Sequence, residues 1–330
     1  MQTALYKVMT IAPGKVNSSS ENAEESILKA LAYFDIFQYP LLAVEIGEFS
    51  DQPLSAPLLE KTLKQLLDEK KIFQFNNFYS LQNNFLLVER RIKGNRRAEQ
   101  LLPKAMKISR FLFKFPFVSA IGISGSLSKH YADENADIDF FIIAKTNRLW
   151  IARTLMHIFK KFTFITGSQH FYCMNYYVDE TALQMEDKNI FSAIEVKTLL
   201  PACGKETLDN FFMANDWSDK FLPACNCRHP QNIESPGGWL KEFIEWILND
   251  TIGDSLDNYL MKITSRRWNK KEQEGKRNEK GQTMGLITGK HFARSNPGSF
   301  QEKLLLLYDE KLSGMKLKNG RVIRLDQAFL

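Results

Sequence analysis

Asp137 and Asp139 open a strongly apolar run that continues through Phe140, Phe141, Ile142 and Ile143. Read as a strand, the run alternates its side chains, so both carboxylates share one face with Cα atoms about 6–7 Å apart. Two carboxylates at the mouth of an apolar strand are costly to bury unless a positive charge lies between them. Mg²⁺ (or Mn²⁺) suits that place, because it takes hard oxygen ligands and is commonly held by one or two carboxylates together with substrate phosphates. Just upstream, an apolar run from Phe117 to Ile123 breaks at Ser124-Gly125-Ser126. Glycine permits a sharp turn and serine is a favoured cap. A helix starting at Ser126 or Leu127 would therefore offer N–H groups to a phosphate that Gly125 lets approach.

About ten residues separate Ser126 from Asp137, enough for one or two helical turns and a return, so both features can share one rim of a sheet. The combination resembles the signature of the nucleotidyltransferase superfamily, whose fold is that of the DNA polymerase β palm. That signature is a hydrophobic strand, Gly-Ser, roughly ten residues, and Asp-x-Asp in a second hydrophobic strand; here Gly125-Ser126 and Asp137-Ile138-Asp139 match it. Lys129 stands where the family often carries a basic residue, and Ala136 departs from the serine many members place before the first aspartate. The motif covers about Phe117 to Ile143. The competing reading of the same residues is a strand edge with two exposed aspartates after an ordinary turn.

The resemblance implies an enzyme that moves a nucleoside monophosphate from a nucleoside triphosphate to an acceptor hydroxyl or phosphate. Asp137 and Asp139 would be the catalytic and metal-holding residues, and Gly125, Ser126 and Lys129 would bind the nucleotide phosphates. The family commonly places a third carboxylate in a later strand. The next predicted strand, His170 to Val178, has no acid inside it. Asn175 is its central polar residue, and Asp179 and Glu180 follow at its end, so these three are the candidates for the third position. The missing acid favours an alternative, a catalytically weak or inactive nucleotide-sensing protein that acts through its N-terminal module.

The elements that would carry this site are legible in part. A chain of 330 residues should hold two or three domains, and 44% hydrophobic residues with 25 phenylalanines are ample for their cores. The net charge of +6 suits a polyanionic ligand without selecting one. Four cysteines without CxxC spacing predict reduced thiols, and no stretch offers eighteen uncharged apolar residues; the expectation is a cytoplasmic protein with no membrane partner.

In order, residues 1–21 predict a flexible arm. Residues 22–85 predict three helices and a β-ribbon around Asn76-Asn77, the pattern of a winged-helix-like domain. Lys61 and Lys64 on its third helix are balanced by Glu60 and Asp68, so sequence-specific DNA binding is not expected. Residues 86–200 are read as the nucleotidyltransferase-like domain. It opens with a basic helix that includes Arg90, Lys93 and Arg97, interrupted at Gly94 or bent at Pro103; its charge is either a solvated face or an attraction for polyanions. A helix near 191–200 carries Glu195, where a salt bridge is the simplest role. Residues 201–330 predict a mainly helical C-terminal domain, with one helix over 239–261, a basic mobile segment over 262–282, and a surface loop or phosphate contact at 289–294. The fold class expected is α/β (α+β): a nucleotidyltransferase-like palm with a mixed sheet between the winged helix and the C-terminal helices.

Overall fold

The structure, a computed structural model, describes residues 20–134, 136–163, 171–228, 233, 235–277, 281, 283–315, 317 and 321–323. The arm expected over 1–21 lies outside these residues up to position 19, and Ser20 already opens a helix. The chain is mixed α/β, and it divides into two compact units.

The first unit comprises Met1–Phe85, Asp219–Asn226 and Tyr308–Leu325. Its described elements begin with α1 (Ser20–Asp35), β1 (Leu41–Leu42), α2 (Ala43–Glu48), α3 (Ala56–Asp68), β2 (Phe73–Phe75) and β3 (Phe78–Ser80). Glu45 starts α2 by accepting from Leu42 N at 2.8 Å, and Pro57 sits in the first turn of α3, where its missing N–H costs nothing. Leu59, Leu63 and Leu66 are buried along one face of α3. The strands form an antiparallel sheet in the order β1-β3-β2. Asn76 takes φ 54° in the β2–β3 turn, a conformation asparagine tolerates better than most residues.

The second unit comprises Leu86–Ser218, Cys227–Leu307 and Asp326–Leu330. Its elements are α4 (Leu86–Leu112), β4 (Val118–Ser124), α5 (Gly125–Ser128), β5 (Asp139–Ala144), α6 (Leu149–Thr163), β6 (Cys173–Asp179), α7 (Ile190–Thr198), β7 (Leu200–Cys203), α8 (Lys205–Ala214), α9 (Trp239–Ile247), α10 (Thr251–Gln273), β8 (Leu286–Thr288) and β9 (Phe292–Ser295). The last helix, α11 (Phe300–Ser313), begins in this unit and ends in the first.

The six-stranded sheet runs β7-β4-β5-β6-β9-β8. Only β5 and β6 are parallel, and α6 is the crossover that a parallel pair requires. The core beside the sheet is built on Phe117, Ile121, Phe140, Ile142, Trp150 and Met156, all buried. Buried Asp257 of α10 accepts from Trp150 N and Ile151 N at 2.8 and 3.0 Å, fixing the first turn of α6.

Several expectations change here. α4 is one continuous helix through Gly94 and Pro103. The segment after 201 is not only helical, because β8 and β9 extend the same sheet as the motif strands. Residues 289–294, expected as a surface loop or phosphate contact, form a hairpin turn and strand: Gly289 N donates to Phe292 O at 2.9 Å, and Arg294 pairs with Tyr176. The helix expected over 239–261 breaks at Leu248–Asp250. Asp250 caps a new helix by accepting from Ile252 N at 3.0 Å, and that helix runs through most of the basic segment expected to be mobile. Lysine, arginine, glutamine and glutamate are good helix formers, so the absence of an apolar stripe did not prevent it.

Candidate functional site

β4 and β5 are antiparallel with Ser124 opposite Asp139, so the Gly-Ser turn leaves its strand beside the second aspartate. Gly125 has φ 69°, and a Cβ added there would lie 2.4 Å from Asp139 Oδ2. Both the left-handed backbone and the approach of the carboxylate therefore demand glycine. Ser126 is exposed in the first turn of α5. Asp137 lies two residues before β5, which starts at Asp139, so strand alternation is not what brings the two aspartates together. Both nevertheless act on one neighbour. The Cys173 thiol is pushed up to about 12, by burial first and then by the charges of Asp139 and Asp137.

Asn175 completes this end of the sheet. The β5–β6 register shifts between Phe140 and Phe141, which pair with Met174 and Tyr176, leaving Asn175 as the extra residue of a bulge. Bulges re-aim side chains, and this one sends Asn175 Nδ2 to Asp139 Oδ1 at 2.6 Å. Its Oδ1 accepts from the Cys173 thiol at 3.2 Å.

Lys129 and the Gly125 turn face a group whose position the sequence left open. Glu195 of α7 accepts from Lys129 Nζ at 2.7 Å through Oε1, and its Oε2 lies 3.4 Å from Gly125 N. Lys129 also donates to Gly125 O at 3.1 Å. The salt bridge expected of Glu195 is thus made to a candidate phosphate ligand. Asn189 places α7 by capping it, accepting from Ser192 N at 3.0 Å.

Asp179 and Glu180 do not join the site. Six residues along β6 from Cys173, about 20 Å at strand rise, Asp179 pairs with Ala144 at the opposite end of the sheet. It is fully buried rather than solvated, accepting from Asn147 N at 3.0 Å and Thr181 Oγ1 at 2.6 Å and lying 2.8 Å from His291 Nδ1. Glu180 accepts from Thr146 N at 3.2 Å. These two acids anchor turns.

The basic helix α4 has a specific task as well. Arg90 reaches both oxygens of Asp133 at 3.2 and 3.1 Å, and Arg97 reaches Glu134 at 2.6 Å. Asn95 Nδ2 donates to His130 O at 2.6 Å, and Ala132 N donates to Gly94 O at 3.2 Å. Tyr131 lies against Gly94, where a Cβ would sit 2.2 Å from its ring, and its hydroxyl donates to Asp133 at 2.6 Å. Burial, followed by that hydrogen bond, raises the pKa of the Tyr131 phenol. The loop joining Gly125-Ser126 to Asp137 is thereby clamped onto α4.

Among the described residues no cluster of three or more His, Cys, Asp or Glu is arranged to hold a metal ion. The hard-oxygen donors here are the Asp139 carboxylate and, close by, that of Asp137, whereas Asn175 turns its N–H to Asp139 and its oxygen to the Cys173 thiol. That hard-oxygen set fits a single divalent ion of the Mg²⁺ type whose remaining ligands are phosphate or water. No model of a known family, no curated protein and no solved structure matches the chain.

Proposed function

We propose that the chain is a Mg²⁺- (or Mn²⁺-) dependent nucleotidyltransferase that moves a nucleoside monophosphate from a nucleoside triphosphate to an acceptor. The observation that carries the reading is the seating of Gly125 against Asp139, with Asn175 bonded to the same carboxylate. The antiparallel β4–β5 pair followed by parallel β6 supports a polymerase-β-type palm. The three helices and small antiparallel sheet of the first unit support a winged-helix module, whose balanced α3 gives no grip on a particular DNA sequence. A triphosphate substrate and four cysteines outside any disulfide suit a cytoplasmic location.

Asp137 and Asp139 would hold the ion, with Asn175 beside them. Bound there, the ion would offset charge developing on the transferred phosphoryl group and orient its oxygens. Ser126 and Lys129 would bind the remaining phosphate oxygens, Lys129 leaving Glu195 to do so. The acceptor oxygen attacks the α-phosphorus in line; its new bond forms as the bond to the β-phosphate oxygen breaks, and pyrophosphate leaves. Asn175, at the place where a third acid would stand, cannot take a proton. An acceptor that is already an anion, such as a phosphomonoester, therefore fits better than a hydroxyl, which would need a base.

A second reading is favoured by the same two residues. With Asn175 in place of an acid and Glu195 holding Lys129, the site could bind nucleotide without turnover and signal through the winged helix. Calorimetry with ATP, GTP, CTP and UTP, with Mg²⁺ and with EDTA, tests what both readings share. Metal-dependent binding of a triphosphate is expected; binding equally strong in EDTA would sink the metal assignment.

A further inference from the structure

α9 turns a mixed face inward, on which Ile244 packs against the core beside two charged side chains. Lys241 is buried and donates to Phe113 O and Val118 O at 3.0 and 2.7 Å. Glu245 accepts from Phe117 N at 2.6 Å and from Lys145 at 2.7 Å. Burial lowers the pKa of Lys241, so the helix is held by charged groups at some desolvation cost. Its opposite face carries Trp239, Leu240, Phe243, Trp246 and Ile247, and the two tryptophans are each 78% exposed. Aromatic side chains span about 150–250 Å² each, so this one short helix exposes several hundred Å² of apolar surface, at the upper end of what monomers ordinarily show.

α10 carries an exposed stripe of its own. Arg148 fixes the corner, donating to Leu248 O at 2.8 Å and Asp250 O at 3.1 Å. Beyond it Ile252, Tyr259, Ile263, Arg266 and Lys270 follow at spacings of seven, four, three and four residues, a single stripe of the helix, and all are exposed. The stripe is apolar near α9 and mainly cationic farther on, where Arg266, Arg267, Lys270 and Lys271 outnumber Glu272 and Glu274, the latter 3.8 Å from Lys270.

We propose that α9 and this stripe of α10 form an interfacial face that seats on an anionic lipid surface. Tryptophan and tyrosine favour the headgroup level, leucine, isoleucine and phenylalanine favour the acyl boundary, and the arginine and lysine turns complement anionic headgroups. Single-stranded nucleic acid would use the aromatic rings and the cations but would leave Leu240, Ile247, Ile252 and Ile263 uncovered by anything apolar. The expectation of no membrane partner rested on the lack of a spanning segment. None of the described helices is long and apolar enough to cross a membrane, and a face of this kind requires no crossing.

The test is co-sedimentation of the full chain with vesicles of phosphatidylcholine alone and of phosphatidylcholine with phosphatidylglycerol, beside sedimentation velocity without lipid. Binding to the anionic vesicles is expected, weak on the neutral ones. Phe243→Ser with Trp246→Ser should reduce it at least about tenfold, and Arg266→Gln with Lys270→Gln should bring it toward the neutral level. These side chains are exposed, so thermal melts should match the parent. Three outcomes would overturn the proposal: no binding to either vesicle, equal binding to both, or a dimer or single-stranded RNA complex that the Phe243/Trp246 variant abolishes while vesicle binding is absent.

Discussion

Asn175 Nδ2 donates to Asp139 Oδ1 across 2.6 Å, and it reaches that oxygen only because β6 carries one residue more than β5 at this point. A carboxylate at 175 would repel Asp139, whereas the neutral amide gives one of its oxygens a hydrogen bond. The position that could hold a third acid holds a group that bonds the second one instead.

Asn175→Asp makes that relationship measurable. Two carboxylates in hydrogen-bond range repel, so the variant should lose about 1 kcal/mol in EDTA, a modest figure because residue 175 is exposed. Mg²⁺ should restore the loss, seen as a larger metal-induced rise in melting temperature than in the parent. Equal melting of parent and variant in EDTA would mean that the Asn175–Asp139 contact has no energetic weight.

Glu195→Gln bears on the phosphate grip. The Lys129–Glu195 pair is partly buried, with 16% and 23% of the side chains exposed, so breaking it should cost about 1–2 kcal/mol of stability. If Lys129 must leave Glu195 to meet a phosphate, the variant should bind triphosphate several-fold tighter by calorimetry. Weaker binding would assign Glu195 a direct part in nucleotide contact.

Gly94→Ala opposes propensity to packing. In a helix interior alanine is favoured over glycine by about 1 kcal/mol. Here a Cβ would sit 2.2 Å from the Tyr131 ring, which is pinned through Asp133 to Arg90. Stability should therefore fall by about 1–3 kcal/mol. An unchanged or higher melting temperature would show that the loop gives way without cost.

The sequence made this clamp hard to see. The Arg90, Arg97 and Lys129 charges were visible, but their partners Asp133, Glu134 and Glu195 lie 43, 37 and 66 positions away. Long apolar runs fared better: β4 and β5 fall within stretches whose composition marks them as strands, and Asn76 marks the β2–β3 turn. Strands of three and four residues, such as β8 and β9, show too little periodicity to announce themselves. Asp179 reads as a turn acid because its neighbour His291 is 112 residues away. The helical period of α9 is plain, but period alone cannot say which face turns inward, and Lys241 and Glu245 decide that only through backbone groups between Phe113 and Val118.

Gly125→Ala and Asp139→Ala form a cycle across the turn. The first should cost about 2–4 kcal/mol, from φ 69° together with a Cβ 2.4 Å from Asp139 Oδ2. In the Asp139→Ala background the clash is relieved and the backbone strain remains, so the two changes should couple by about 1 kcal/mol or more in urea denaturation. Strict additivity would mean that the carboxylate does not lean on the glycine.

The account stands or falls on Asp139. Asp139→Asn removes the charge with little change of volume and keeps an oxygen able to accept from Asn175. The direct measurement pairs transfer of label from an α-³²P-labelled triphosphate with thermal melts in EDTA and in Mg²⁺. The expected result is label transfer by the parent and none by the variant, a melting temperature in EDTA equal to or above the parent's, and loss of the Mg²⁺-induced rise. A variant that melts lower in EDTA, from a parent that neither transfers label nor responds to Mg²⁺, would contradict it.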